Sequence, residues 1–231
     1  EGAALSDLGL IYASVGEHGK ALECLEQACR IFEELGERHR LGLALNNLGN
    51  LYLRLEEPQK ALEYFQQAYR LRKELGDRRR QALDLSGIGM AHLELEGYQE
   101  ALKSFEQALK IVDELGIECP KIELLSRKGL AHLGLEDRSE ALRCSQEAIK
   151  LLEEGKVTIE YPEEVYFNHF RILRACGEEH KYPAIALEAL KKAHDEVARK
   201  ADNIKDGVLR KGFLTVKLNQ EILREWEQRA G

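Results

Sequence analysis

Proline is scarce, four residues in 231, and aromatic side chains make up only 6% of the chain. So few helix breakers leave long stretches free to coil, and Leu, Glu, Ala, Lys, Arg and Gln, which lose little rotamer freedom in a helix, fill them. No apolar run approaches the roughly 18 residues that a bilayer crossing needs. No secretory leader pattern opens the sequence either, so no membrane partner and no secretion are expected. Positive charge is not in excess: 34 basic residues stand against 41 acidic ones, for a net charge of -7. No broad positive field exists to collect phosphates, so no nucleic-acid partner is expected. The longest basic run, Arg78 to Arg80, reads as the solvated start of a helix. The five cysteines, Cys24, Cys29, Cys119, Cys144 and Cys176, are odd in number and form no C-x-x-C pair. That pattern fits reduced thiols and a cytoplasmic location. Methionine occurs once, as Met90, and Leu5, Leu8 and Tyr12 already pattern as a helix, so the chain is expected to be part of a longer one.

What the chain does have is repetition. Leu8-Gly9, Leu48-Gly49 and Ile88-Gly89 recur 40 residues apart, and Lys128-Gly129 continues the series. Ala21, Ala61, Ala101 and Ala141 keep the same spacing, as do Ala28, Ala68, Ala108 and Ala148. Leu35-Gly36, Leu75-Gly76 and Leu115-Gly116 mark the ends of successive units.

The second unit shows the chemistry. Leu45, Leu48, Tyr52 and Leu55 form one apolar stripe, which predicts a helix over residues 41 to 55. Glu56-Glu57-Pro58 ends it, because proline disfavours helix at the residue before it and suits the first turn of the next. Ala61, Leu62, Phe65, Ala68, Tyr69, Leu71 and Leu75 stripe a second helix, and Gly76 supplies a left-handed stop. Glycine in mid-helix costs about 1 kcal/mol against alanine, so Gly9, Gly49, Gly89 and Gly129 predict close helix contact.

The Leu-Gly, Tyr, Ala, aromatic, Ala series resembles the tetratricopeptide motif in its extended form, with long helices and a 40-residue unit. Kinesin light chains and many bacterial signalling ATPases have similar repeats. The resemblance covers residues 1 to about 153 and departs from the pattern in unit four, where Ser145 replaces the aromatic and His132 the tyrosine. It implies an all-α, right-handed superhelical solenoid of about five helix pairs. Four pairs are expected over about 1–36, 37–76, 77–116 and 117–153, and a diverged fifth over 154–204. In that fifth pair Val165, Phe167, Phe170 and Leu173 stripe one helix, and Leu187, Leu190, Ala193, Val197 and Ala201 the other. Residues 205–231 are expected to cap the last helix face. This tail resembles the ends of tetratricopeptide regions in bacterial signal-transduction ATPases with a nucleotide-switch module and in related multidomain regulators.

No catalytic constellation emerges, and no enzymatic role, cofactor or metal is expected. Residues Ser14 to Ala21 mimic a phosphate loop, but serine replaces the first glycine, alanine replaces the metal-binding hydroxyl, and a helix corner replaces the preceding strand. His92 and His132 share a repeat position and read as half-buried imidazoles in place of tyrosine, while Cys24 and Cys144 read as packing residues. His194-Asp195-Glu196 has no second histidine one turn later.

The resemblance places ligand binding on a concave stripe of the first helices. Carried onto this sequence, that stripe is Ser6, Leu10 and Ser14; Asn46, Asn50 and Arg54, with Asn47 beside them; Ser86, Met90 and Glu94; and Ser126, Leu130 and Gly134. Residues four apart share a helical face. The asparagines either clamp a ligand backbone or bond neighbouring helices. Relatives that dock chaperones hold a terminal carboxylate with Lys or Arg, whereas Arg54 is the one base on this stripe. The expected ligand is therefore an uncharged, apolar or mixed protein or peptide segment. The expected role is protein recognition, as the sensor or autoinhibitory region of a bacterial signalling regulator; a stand-alone scaffold and a self-associating module are the alternatives.

Overall fold

The structure, a computed structural model, describes residues 1–117, 119–155, 158–181 and 183–230. Among them every regular element is a helix. In chain order they are α1 (Gly2–Ser14), α2 (His18–Glu34), α3 (Arg38–Arg54), α4 (Pro58–Leu75), α5 (Arg78–Glu94), α6 (Tyr98–Leu115), α7 (Cys119–Gly134), α8 (Arg138–Glu153), α9 (Pro162–Ala175), α10 (Glu178–Lys181), α11 (Pro183–Asn203), α12 (Gly207–Leu214) and α13 (Lys217–Ala230). No helix among the described residues is long and apolar enough to cross a membrane. The chain forms two compact units, Glu1–Ile111 and Val112–Gly231.

The first unit stacks helix pairs. α1 packs on α2, α2 on α3, α3 on α4 and α4 on α5, and the first helices of successive pairs also touch, α1 with α3 and α3 with α5. That layering is a tetratricopeptide-type solenoid, in which each pair buries the apolar face its neighbour leaves open. α3 begins at Arg38, earlier than its stripe predicts, because the polar first turn carries no apolar signal. α4 starts on Pro58 and stops on Gly76 at φ 69°. Within the pairs the turn residue is also left-handed, Gly16 first and then Glu56 and Glu96 at φ 57°.

Mid-helix glycines mark close approach. A Cβ on Gly49 would stand 2.7 Å from the Phe65 ring, one on Gly87 2.5 Å from the same ring, and one on Gly89 2.4 Å from Phe105. Phe65 thus wedges between the glycine of its own pair and that of the next. Both phenylalanines are wholly buried.

The second unit continues with α7 on α8, α8 on α9, α7 on α9, and α9 on α11. Its core gathers Phe167, Phe170, Leu173, Ala189, Leu190, Ala193 and Val197, closed by Ile222 from α13 with Phe213, Leu218 and Trp226 partly buried against it. Leu187 is a correction: it is 44% exposed, one step round the helix from the buried row that Ala186, Leu190, Ala193 and Val197 form. The connection before α9 includes residues 156 and 157, which lie outside the described residues. Ion pairs fasten this unit: Arg127 reaches Glu164 through two bonds of 2.8 and 2.9 Å, and Lys200 reaches the buried Glu163 at 2.7 Å.

Candidate functional site

The open face of the first unit is set by helical periodicity on its first helices. On α3, Leu43, Asn47, Asn50 and Arg54 follow at steps of four, three and four, so they share one line along the helix. On α5 the same register holds Leu83, Gly87, Met90 and Glu94, and on α1 it holds Leu10 and Ser14. Leu10, Leu43 and Leu83 are 46%, 47% and 50% exposed. Ser14, Asn50, Arg54 and Glu94 are exposed, and Asn47 and Met90 half-buried. The Ser14 hydroxyl donates to the Ile11 carbonyl at 2.7 Å.

Three expected stripe members do not lie open. Ser6 and Ser86 are buried, at 6% and 8% exposure, and in the second unit Ser126 is buried at 1%. The physical reason is register: starting each set at this position and stepping by four spreads it over a wide arc, and its first member turns toward the next pair. Asn46, in the same column, donates to Asp84 of α5 at 2.8 Å, and Ser126 accepts from Asn168 of α9 at 3.0 Å. Asn46 therefore bonds a neighbouring helix. Asn50 donates in turn to the Asn46 side chain at 3.1 Å. Leu43 was absent from the expected set, although its recurrence as Leu83 one unit later was the available signal.

Asp84 belongs to a buried charged network. It is 1% exposed and lies 4.0 Å from the Nε of Arg72, itself 1% exposed and 3.4 Å from Asp77. Burial pushes the Asp84 carboxyl up to about 7, against the pull of Arg72 and Asn46. Gly42 makes room, since a Cβ there would meet the Arg72 guanidinium at 2.7 Å. One repeat earlier the same place is filled by Phe32 over Gly2. A charge in a core position gave no sequence signal, because arginine is rarely buried unless paired.

In the second unit Leu130 is half-buried and Gly134 exposed. His169 bonds Ser145 at 3.0 Å, and burial lowers its imidazole to about 4. The α7–α8 hairpin brings together one imidazole, one carboxylate and one thiol, from His132, Glu140 and Cys144, with ligand atoms within 4.8 Å of one another. The set is hidden in the sequence because its spacings of eight and four residues meet only across the hairpin turn. Residues Val15 to Glu17, the middle of the apparent phosphate loop, are the turn between α1 and α2. The His194 ring stacks on Trp226 at 5.0 Å.

Similarities to known structures bear on the fold. BtubC (BKLC) from P. vanneervenii shares 20% identity at a TM-score of 0.68, covering 84% of this chain and 80% of that one. A putative kinesin light chain of Podosopora anserina with nearly identical TPR-like repeats shares 17% at 0.65, covering 86% and 95%. The apo form of RapI shares 16% at 0.71, covering 99% of this chain and 65% of that one. No curated protein matches the chain. Tetratricopeptide repeats support protein–protein interaction in general. The family model described as Tetratricopeptide repeat matches residues 1–74 and 79–154, well over half of the chain, and the chain belongs to that family.

Proposed function

We propose that this chain binds other polypeptides through the face that α1, α3 and α5 hold open in the first unit. The observation that carries the reading is the exposure of Leu43 and Leu83 at the same register of α3 and α5, with Leu10 exposed on α1. Exposed aliphatic side chains that recur at one register of neighbouring helices mark an interaction surface. Asn50 stands exposed beside them, and the Asn47 side-chain nitrogen is buried without a hydrogen-bond partner among the described residues. Carboxamides offer donors and acceptors to a ligand's backbone. With Arg54 and Glu94 on the same face, the surface suits an apolar segment of low net charge.

As a cytoplasmic module, the chain serves as the sensing or autoinhibitory region of a larger bacterial signalling regulator, where occupancy of this face biases a switch elsewhere. The support for this finer role is the resemblance of residues 204 to 226 to the ends of tetratricopeptide regions in such regulators.

Selection from a displayed peptide library tests the binding reading. Enriched peptides should carry spaced apolar residues, and the Leu43→Glu/Leu83→Glu double variant should bind them at least about tenfold more weakly. No enrichment, or undiminished binding by a folded double variant, removes the reading. The same variant placed in the full-length protein should uncouple trigger from output; a normal response there removes the regulatory role while leaving the binding face intact.

A further inference from the structure

We propose that the α7–α8 hairpin holds one divalent transition-metal ion of borderline softness, with Zn2+ as the representative, through His132, Glu140 and Cys144. The inference is independent of polypeptide binding, because it rests on a different unit of the chain. A histidine nitrogen, a carboxylate oxygen and a thiol sulfur lie within 4.8 Å of one another. Zinc takes such donors at about 2.0–2.3 Å, which puts tetrahedral ligands about 3.3–3.8 Å apart, so closing the site asks for about 1 Å of side-chain movement. The three residues stand on two packed helices, and Cys144 is wholly buried at the floor.

A separate observation points to a ligand. Among the described residues the His132 Nε2 is buried with no hydrogen-bond partner, while its Nδ1 lies 3.4 Å from an Asp137 carboxylate oxygen. Metal-bound histidines are commonly held this way, one nitrogen on the ion and the other on a carboxylate that fixes the ring. Asp137 is itself held in place as the cap of α8, accepting from the Glu140 backbone N–H at 3.2 Å.

The repeat supplies an internal comparison. At the three register positions the first pair has Tyr12, Lys20 and Cys24, and the second has Tyr52, Lys60 and Tyr64. There Tyr52 stacks on Tyr64 at 5.3 Å, with the Lys60 ammonium 5.2 Å from the Tyr52 ring, an arrangement that supplies its own cation. The third pair has His92, Glu100 and Ser104. The fourth alone of these pairs combines imidazole, carboxylate and thiol, and lysine has given way to glutamate. Arg143 holds the Glu140 carboxylate at 2.6 Å, so the ion shares that group with a guanidinium. Three protein ligands leave a coordination position for water or for a partner's side chain. On coordination the Cys144 S–H bond breaks, the proton leaves to solvent and a sulfur–metal bond forms.

Cobalt, a spectroscopic substitute for zinc, provides the test on chelator-treated, reduced protein. Titration should saturate at one Co2+ per chain with a thiolate-to-cobalt charge-transfer band, and Zn2+ should displace it. Cys144→Ser should abolish the band; serine already occupies the matching position, Ser104, so the variant is expected to keep its helical circular dichroism. His132→Gln should weaken affinity at least about tenfold, and Asp137→Asn, which preserves the cap, by about 10- to 100-fold. A variant with Cys24, Cys29, Cys119 and Cys176 all replaced by serine should keep the band. Absence of the band in the parent chain, its survival in Cys144→Ser, its loss in the four-serine variant, or unchanged affinity in His132→Gln would each overturn the proposal.

Discussion

Ile172 of α9 lies over Gly129 of α7, its Cδ1 standing 2.9 Å from where a Cβ on that glycine would sit. In the second and third pairs the same place is filled from within the pair, by Phe65 over Gly49 and Phe105 over Gly89. In the fourth pair the residue at that register is Ser145, too small to reach, and the following helix supplies the missing bulk. Ile172 is wholly buried, so Ile172→Ala should cost about 2–5 kcal/mol, read as a fall in urea midpoint. An unchanged midpoint would mean that Gly129 is covered by something else.

The 40-residue spacing made the helix pairs legible because Gly, Ala and Phe at fixed offsets report helix-to-helix distance directly. Side-chain direction was less legible. Ser6, Ser86 and Ser126 share the expected stripe's spacing yet turn inward, since a difference of one residue rotates a helix by about 100 degrees. The buried Arg72 and the Ile172 substitution were not legible either, for they depend on which neighbouring element fills a space. The His132, Glu140 and Cys144 grouping depends on the hairpin closing.

Gly89→Leu should overpack against Phe105, where even a Cβ meets the ring at 2.4 Å. The expected cost is about 1–3 kcal/mol, with Tm falling accordingly in thermal melts followed by circular dichroism. A Tm within error of the parent's would place the ring elsewhere.

Asn46 and Asn50 should separate. Asn46→Ala leaves the buried Asp84 without its 2.8 Å donor and should destabilise by about 1–3 kcal/mol, so it perturbs folding before it reports on any ligand. Asn50 is exposed, and Asn50→Ala should change stability by less than about 0.5 kcal/mol. Equal destabilisation in chemical denaturation would show that the pair acts as one unit.

Asp84 should make stability fall as pH rises. Its folded pKa of about 7 exceeds the ordinary 3.8, so between those values the folded chain keeps a proton that the unfolded chain has released. Its contribution is full below about 4 and is lost as pH climbs through about 7. His169 works in the opposite sense: burial lowers it from 6.5 to about 4, so its contribution is present above 6.5 and lost as pH falls through about 4. Asp84→Asn isolates the first effect. Relative to the parent, the variant should gain stability between pH 5 and pH 8 in urea titrations; identical midpoint changes in both proteins would rule out Asp84 as the titrating group.

Glu136→Gly should stabilise the α7–α8 turn. Glu136 sits at φ 61°, where a side chain other than glycine's is strained by about 1–2 kcal/mol, and the first pair already uses Gly16 at the equivalent position. The turn's backbone bonds, Glu136 N–H to the Leu133 carbonyl at 3.0 Å and Asp137 N–H to the His132 carbonyl at 2.9 Å, require that conformation whichever residue is present. Glycine also widens the unfolded ensemble, which offsets about 0.5–1 kcal/mol, leaving a net gain of about 0.5 kcal/mol. Because the Glu136 side chain is exposed, Glu136→Ala separates strain from side-chain loss. Alanine should give no gain where glycine raises the urea midpoint, and equal effects from the two would assign the change to the missing carboxylate instead of the backbone.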